Sequence, residues 1–179
     1  MKKFIKYIKL IPLMIFPYAY LIWMFLLDDL LPDYIWENMP GIYIILTFAL
    51  TVVSTVLTAI SKKTTAKSAA LQNLIVKAVQ IPAYIFHFLM AVLSPVASVW
   101  GIGFFMFAVI IDLMTIILTG IFAIGCNIRI CKSGVIKKGT AVATGIFSFV
   151  YCIDLVIAVI LFVTTKSHEK KKIPQKENV

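Results

Sequence analysis

The sequence predicts an all-α fold, a polytopic bundle of helices integral to a membrane. Hydrophobic residues make up 61% of the 179 residues and charged residues 14%, which is far more apolar than a soluble domain. The mean hydropathy of +1.00 agrees with this class. We expect a single transmembrane helical domain over residues 1–164 and a disordered basic tail over residues 165–179.

A helix needs about 17 apolar residues or more to cross a membrane. The sequence contains five stretches of this length. They cover residues 10–27, 41–60, 74–94, 100–124 and 141–163. An alternative layout has four transmembrane helices plus a re-entrant segment, near Pro82 or near Ser94. We prefer five helices, because residues 74–94 are long enough to cross and Ser94, Pro95 and two nearby glycines suit a tight connection.

The first stretch follows a lysine-rich start, as a signal peptide would, but it has no small-residue cleavage site after it. It also has no row of polar residues, so we expect a membrane anchor at the outside of the bundle. The connection to the second stretch holds acidic residues and no Lys or Arg, which predicts an outer loop and a cytoplasmic N-terminus in the cell membrane. Clusters of Lys and Arg at span ends suit anionic lipid headgroups.

Charge counting does not decide between the two layouts. Five helices leave twelve of the 17 basic residues inside, and four helices leave thirteen inside. Five helices also place the basic tail outside, against the positive-inside tendency.

A polar stripe at helical spacing runs along each of the last four stretches. The stripes are Tyr43, Thr47, Thr51, Ser54, Thr58 and Ser61; Asn73, Lys77, Gln80, Tyr84, His87, Ala91 and Ser94; Phe105, Ala108, Asp112, Thr115 and Thr119; and Thr140, Thr144, Phe147, Tyr151, Asp154 and Ala158. Steps of three and four residues keep the members of a stripe on one helix face. Lipid-facing surfaces stay apolar, so we expect all four stripes to point into the bundle.

Two aspartates at bilayer depth are the most distinctive residues. Asp112 and Asp154 each lie in a copy of the pattern F-x-F-x-x-x-I-D-L. A true repeat would run antiparallel in consecutive helices, as in inverted-repeat transporters, but a chance match in an apolar background is the rival interpretation. A carboxylate at this depth is expensive to insert and marks a functional site by default.

The two carboxylates, brought together, would share one proton near neutral pH, and His87 would exchange protons with them. We therefore predict a proton or ion site at Asp112, Asp154 and His87. The residues expected to line it are Gln80, Tyr84, Thr115, Tyr151, Thr51 and Ser54. Pro82 removes a backbone hydrogen bond from its helix, so it is a hinge candidate or a simple bend, and Gln80 could donate to the freed carbonyl. We expect Lys77 to extend toward the lipid headgroups rather than to pair with an aspartate.

These features favour a small ion- or proton-coupled transporter or a channel subunit. The alternative is a membrane partner without transport activity, such as an assembly factor, an immunity protein or an accessory subunit, whose polar residues serve only helix packing. A homo-oligomer or a membrane-protein partner fits both hypotheses. We expect no enzyme, since no catalytic motif occurs, and no cofactor, metal site or nucleic-acid partner. The cysteines at 126, 131 and 152 are expected to be reduced thiols.

Overall fold

The structure is a computed structural model that describes residues 8–26, 32–97 and 101–172, and the six elements in these residues are all helices. In chain order they are α1 (Ile11–Leu26), α2 (Asp33–Ile60), α3 (Ala66–Ala97), α4 (Gly101–Lys132), α5 (Lys138–Phe147) and α6 (Ile153–Lys172). The all-α prediction is confirmed. The acidic pair at 28 and 29 in the predicted outer loop lies outside the described residues.

Three helices are long and apolar enough to cross a membrane. The spans are Gly41–Ile60 in α2, Ala66–Val96 in α3 and Gly101–Lys132 in α4. They correspond to the second, third and fourth predicted stretches and indicate a multi-pass membrane protein. Among the described residues the helices of this length and composition number three, not the five that the sequence predicts.

The polar stripes of α2 and α3 point inward, as predicted. Between residues 41 and 60 the buried side chains are the four hydroxyl residues of the α2 stripe, Thr47, Thr51, Ser54 and Thr58. On α3 the stripe residues Asn73, Lys77, Gln80 and His87 are likewise buried, together with the small apolar residues Val76 and Ala83, while Ile81, Ile85 and Phe86 face outward. Lipid offers no hydrogen bonds, so polar side chains are favoured inside the bundle, where Ser54, Lys77, Gln80 and His87 each have a partner.

Four other stripe positions were predicted wrongly. Phe105, Phe147 and Tyr151 are 40%, 48% and 43% exposed, and Thr140 is also on the surface. All but Phe105 belong to a stretch that does not continue as one helix, so a constant helical period does not apply to it.

Helix α1 is not a peripheral anchor, and this prediction is wrong. Leu10, Leu13 and Phe16 are at most 3% exposed and belong to the central apolar cluster, in which Phe16 stacks on Tyr43 of α2. The backbone here binds polar side chains of the other helices. Ser54 Oγ donates to the Lys9 carbonyl, two residues before the helix begins, at 3.3 Å.

A proline explains the contact between α1 and α3. Pro17 lies inside α1 and has no N–H, so the carbonyl of Leu13, four residues earlier, lacks its usual helical donor. Gln80 Nε2 donates to that carbonyl at 2.9 Å. The Gln80 amide therefore binds α1 and not the turn before Pro82, where the sequence had placed it. In that turn Tyr18 Oη donates to the carbonyl of Val79.

Replacing Gln80 with leucine is expected to lower the free energy of unfolding by about 1 to 3 kcal/mol, because a buried carbonyl loses its donor. Unfolding in mixed detergent and SDS micelles measures this change. Gln72→Leu is the matched control, since Gln72 is equally buried on α3 and bonds only within its own helix at 3.4 Å in the described residues. In a Pro17→Ala background the restored N–H should bond Leu13 and reduce the cost of Gln80→Leu. An unchanged cost in that background would contradict the assignment.

The predicted fifth stretch is two helices separated by residues 148–152. At the end of α5 the Ser148 hydroxyl and the Ser148 backbone N–H both donate to the Thr144 carbonyl, at 2.7 Å and 3.1 Å. Cys152, just before α6, has a φ of +64°, a left-handed conformation in which a side chain is strained. The chain therefore reverses here instead of continuing in one direction.

Contacts along α5 and α6 fix their directions. The α-carbon of Gly145 in α5 faces Ile124 and Asn127 of α4, and the ring of Phe149 lies against Gly120, which is farther from the end of α4. Helix α6 then returns along α3, because Asp154 pairs with Lys77 and Glu169 with Lys67. The start of α5 and the end of α6 thus lie at the same end of the bundle.

We call this end the basic end. It comprises Lys9 before α1, residues 61–67 from the end of α2 to the start of α3, residues 129–138 from the last turn of α4 to the start of α5, and the end of α6. Arg129 donates to the carbonyls of Thr64 and Lys62 in the connection after α2, and Lys132 donates to the carbonyl of Ala59 in the last turn of α2. Helix α6 continues through Lys172, beyond the predicted domain end at 164, and residues 173–179 of the predicted tail lie outside the described residues.

Candidate functional site

Two buried ion pairs form the polar centre of the bundle. Lys77 Nζ lies 2.7 Å from Asp154 Oδ2, and His87 Nδ1 lies 2.6 Å from Asp112 Oδ1. Both basic residues are on α3, whereas one aspartate is on α4 and the other on α6. Burying a carboxylate costs free energy, and each of the two is therefore paired with a basic side chain of its own, which is the usual condition for burying a charge.

The first pair is the more deeply buried of the two. Its side chains are 1% and 7% exposed, and the prediction that Lys77 extends to the headgroups is wrong. Lys77 shares a face with Asn73 and Gln80, so its stem runs inward. Asp154 lies in the first turn of α6, where Oδ1 also accepts the N–H of Leu155 at 2.7 Å. A helix N-terminus favours a carboxylate, so the chain break and the lysine both stabilise the same charge.

The second pair joins α3 to α4 across their shared interface. His87 is 3% exposed and Asp112 is 17% exposed at the side chain. The distance of 2.6 Å is that of a short hydrogen bond between the imidazole and the carboxyl group. His87 Nε2 is buried and has no hydrogen-bond partner among the described residues.

The structure does not join the two aspartates to each other. Ten residues separate Lys77 from His87 on α3, which corresponds to about 15 Å along the helix axis. The two carboxylates therefore do not share a proton directly, as the sequence led us to expect. Each is bonded to a separate base instead.

Two tyrosines lie between the pairs. The rings of Tyr84 and Tyr151 meet edge to face with centroids 5.3 Å apart. Both phenols lie close enough to Asp112 and Asp154 to interact electrostatically with them. Tyr84 Oη is buried and has no hydrogen-bond partner in the described part of the chain. Tyr84 thus places a hydroxyl group between two ion pairs.

A cleft of about 400 Å³ opens beside the first pair. Its polar side consists of Lys77, Asp154, Tyr84 and Tyr151. Its apolar walls and rim are Ile81, Ile85, Phe88, Cys152 and Leu155. The cleft lies where α3 meets the start of α6.

Several predicted lining residues have other roles. Gln80 binds the backbone of α1, and Ser54 binds the Lys9 carbonyl just before α1. The Thr115 hydroxyl donates to the carbonyl of Ile111 in its own helix at 2.7 Å. Thr51 is buried on the α2 stripe. Pro82 lies on the surface of an α3 that continues past it to Ala97, so the structure brings it to neither ion pair.

The two copies of F-x-F-x-x-x-I-D-L differ in structure. The copy that contains Asp112 is helical throughout, whereas the copy that contains Asp154 includes the break at 148–152. The pattern therefore does not correspond to a structural repeat. Sequence reasoning missed Lys77 as a partner, although its place on the α3 stripe was the signal. No comparable signal in the sequence indicates that the helix breaks at Ser148 and Cys152.

The described residues contain no group of three His, Cys, Asp or Glu side chains that could hold a metal ion. His87 has one carboxylate beside it, and the other carboxylate binds Lys77. Comparisons of the chain with protein-family models, with curated proteins and with solved structures found no match.

Proposed function

We propose that α1 to α4 each cross the membrane, and that α5 and α6 form a re-entrant pair that enters and leaves at the basic end. Among the described residues, Lys77 is the one Lys or Arg that does not lie at that end. A cytoplasmic basic end then satisfies the positive-inside tendency without the conflict that five helices create. Broken helices of this kind occur where the backbone lines an internal site.

Cysteine labelling from each side of sealed cells tests this topology. We expect a thiol-reactive, membrane-impermeant label to reach Lys63→Cys and Gln175→Cys only after permeabilisation. The same label should reach Asp29→Cys, in the predicted outer loop, in intact cells. Labelling of Gln175→Cys in intact cells would instead support a fifth crossing.

We further propose that the protein moves protons across the membrane, alone or coupled to a second solute. The observation that supports this most is the position of Tyr84, whose unpartnered hydroxyl lies between Lys77–Asp154 and His87–Asp112. Groups that hold and release protons then follow one face of α3 over about 15 Å. A proton that moves from Lys77 to Asp154, or from His87 to Asp112, converts an ion pair into a neutral pair and so leaves no uncompensated buried charge.

A metal-cation site is the weaker form of the transport hypothesis. Such a site requires ionised carboxylates whose oxygens are free to coordinate the ion. Here one oxygen of each carboxylate is already within 2.7 Å of a basic nitrogen. A proton can move within these pairs, whereas a metal cation would have to displace Lys77 or His87.

Proton flux is measured in liposomes that contain the purified protein and a trapped pH-sensitive dye. After an acid jump we expect the pH gradient to decay faster than in empty liposomes. Asp112→Asn and Asp154→Asn should each return the decay to the empty-liposome rate, because each removes a proton acceptor. Glu169→Gln is the control, since Glu169 is acidic but lies at the surface. Wild-type flux in both asparagine variants, with folding preserved, would refute the proposal.

The packing alternative is supported by one observation on α2 and α3. Two polar residues of the predicted lining bind backbone carbonyls, Gln80 that of Leu13 in α1 and Ser54 that of Lys9 just before it. A protein that passes no protons and co-purifies with one specific membrane partner would favour this function.

A further inference from the structure

We infer that the cleft beside Lys77 and Asp154 binds an uncharged lipophilic molecule with a hydrogen-bonding head, which enters sideways from the bilayer. The inference deepens the proposed transport function and rests on it for the role of the bound molecule. Three observations on this cleft support it: its position, the charge balance on its inner side, and the unpartnered Tyr84 hydroxyl.

The position of the cleft gives it access to lipid. Its outer residues Ile81, Ile85 and Phe88 are 36%, 56% and 60% exposed, and they lie on the apolar face of a helix that is long enough to cross a membrane. A volume of about 400 Å³ is in the range of small-molecule sites, roughly 300 to 1,000 Å³. A molecule dissolved in the bilayer can reach this opening without passing through water.

The charge balance of the cleft favours an uncharged head. Lys77 and Asp154 cancel each other at 2.7 Å, and both are buried. A singly charged head would compete with one member of the pair and leave the other member without a partner, which is strongly unfavourable in a buried site. A neutral head leaves the pair intact.

Tyr84 supplies the hydrogen bond for that head. The Tyr84 side chain belongs to the cleft lining, and its Oη is buried and has no partner within the described residues. A hydroxyl can donate one hydrogen bond and accept others, so it matches an alcohol, ester or amide. Tyr151 packs against the Tyr84 ring and restricts its orientation.

Protection of Cys152 from alkylation tests the inference. Cys152 is an exposed thiol that lines the cleft, while Cys131 near the end of α4 is absent from its lining and serves as an internal control. The full-length protein in liposomes, without a pH gradient, is treated with N-ethylmaleimide, and alkylation at each cysteine is followed by mass spectrometry. The probes are decanol, decylammonium and decanoate, which share a chain and differ in charge.

We expect decanol to slow alkylation of Cys152 several-fold and to leave Cys131 unchanged, with the two charged probes less effective. Tyr84→Phe keeps the ring and removes the hydroxyl, so it should raise the half-protective concentration of decanol by about three- to tenfold. Equal slowing at both cysteines, equal potency of the three probes, or an unchanged Tyr84→Phe would each overturn the inference. This experiment measures no proton flux. A failure of decanol to protect Cys152 would therefore overturn the binding site without testing the proposed transport, and an absence of flux in the liposome assay would not bear on this site.

Discussion

Replacing Lys77 with methionine is expected to lower the free energy of unfolding by about 3 to 5 kcal/mol, the typical cost of removing one partner from a buried ion pair. Asp154 would keep the N–H of Leu155 and the helix N-terminus, but it would lose the charge that balances it. Unfolding in SDS-containing mixed micelles, followed by circular dichroism, measures the change. The start of α6 should separate from α3 before the remaining helices unfold.

A surface pair provides the control. Lys67 and Glu169 join the same two helices at 2.9 Å, but their side chains are 43% and 45% exposed. Lys67→Met should therefore cost at most about 1 kcal/mol. The double variant Lys77→Met with Asp154→Leu removes both charges and should recover most of the lost stability. Equal costs at Lys67 and Lys77 would show that burial of the inner pair is unimportant.

The sequence was most informative where a long helix has one polar face. The lipid-facing side of α2 is expected to be apolar, so its hydroxyl face was correctly predicted to be buried. The residues on this face are Thr47, Thr51, Ser54 and Thr58. The same reasoning correctly predicted that Gln80 and His87 on α3 are buried. Helical period and hydropathy are local properties, so one sequence contains enough information to assign them.

The partners of the buried charges could not be predicted in the same way. Periodicity places Lys77 on an inward face, but it does not say that α6 starts at the level of Lys77, because that depends on the break at residues 148–152. The break itself depends on tertiary contacts, such as the ring of Phe149 against Gly120. An uninterrupted helix over 141–163 would have placed Asp154 elsewhere.

The position of α1 was missed for a related reason. Its contribution to the polar network comes from backbone carbonyls, which every sequence contains and which side-chain patterns do not reveal. Pro17 was a signal that the Leu13 carbonyl lacks a donor, but its partner Gln80 is 67 positions away from Leu13. Only the folded arrangement shows which donor binds that carbonyl.

Gly125→Val is expected to lower the free energy of unfolding by about 3 kcal/mol, the upper part of the usual range for overpacking, because α4 and α2 touch backbone to backbone at this residue. A β-carbon on Gly125 would lie 2.7 Å from the carbonyl oxygen of Thr55 and 2.8 Å from its Cγ2 atom. The helices would have to separate, which would also disturb the hydrogen bonds from Arg129 and Lys132 to the end of α2. The same SDS titration measures this change.

Two further variants distinguish the backbone contact from a general effect of valine. Gly103→Val adds the same side chain to the same helix where no atom lies within 4 Å, so its stability should stay close to wild type. Thr55→Ala in the Gly125→Val background removes the methyl contact but leaves the carbonyl oxygen in place, so it should recover only part of the loss. Full recovery would mean that side chains, and not the backbone, limit how closely α2 and α4 approach. Partial recovery would instead identify the backbone contact as the reason for glycine at position 125.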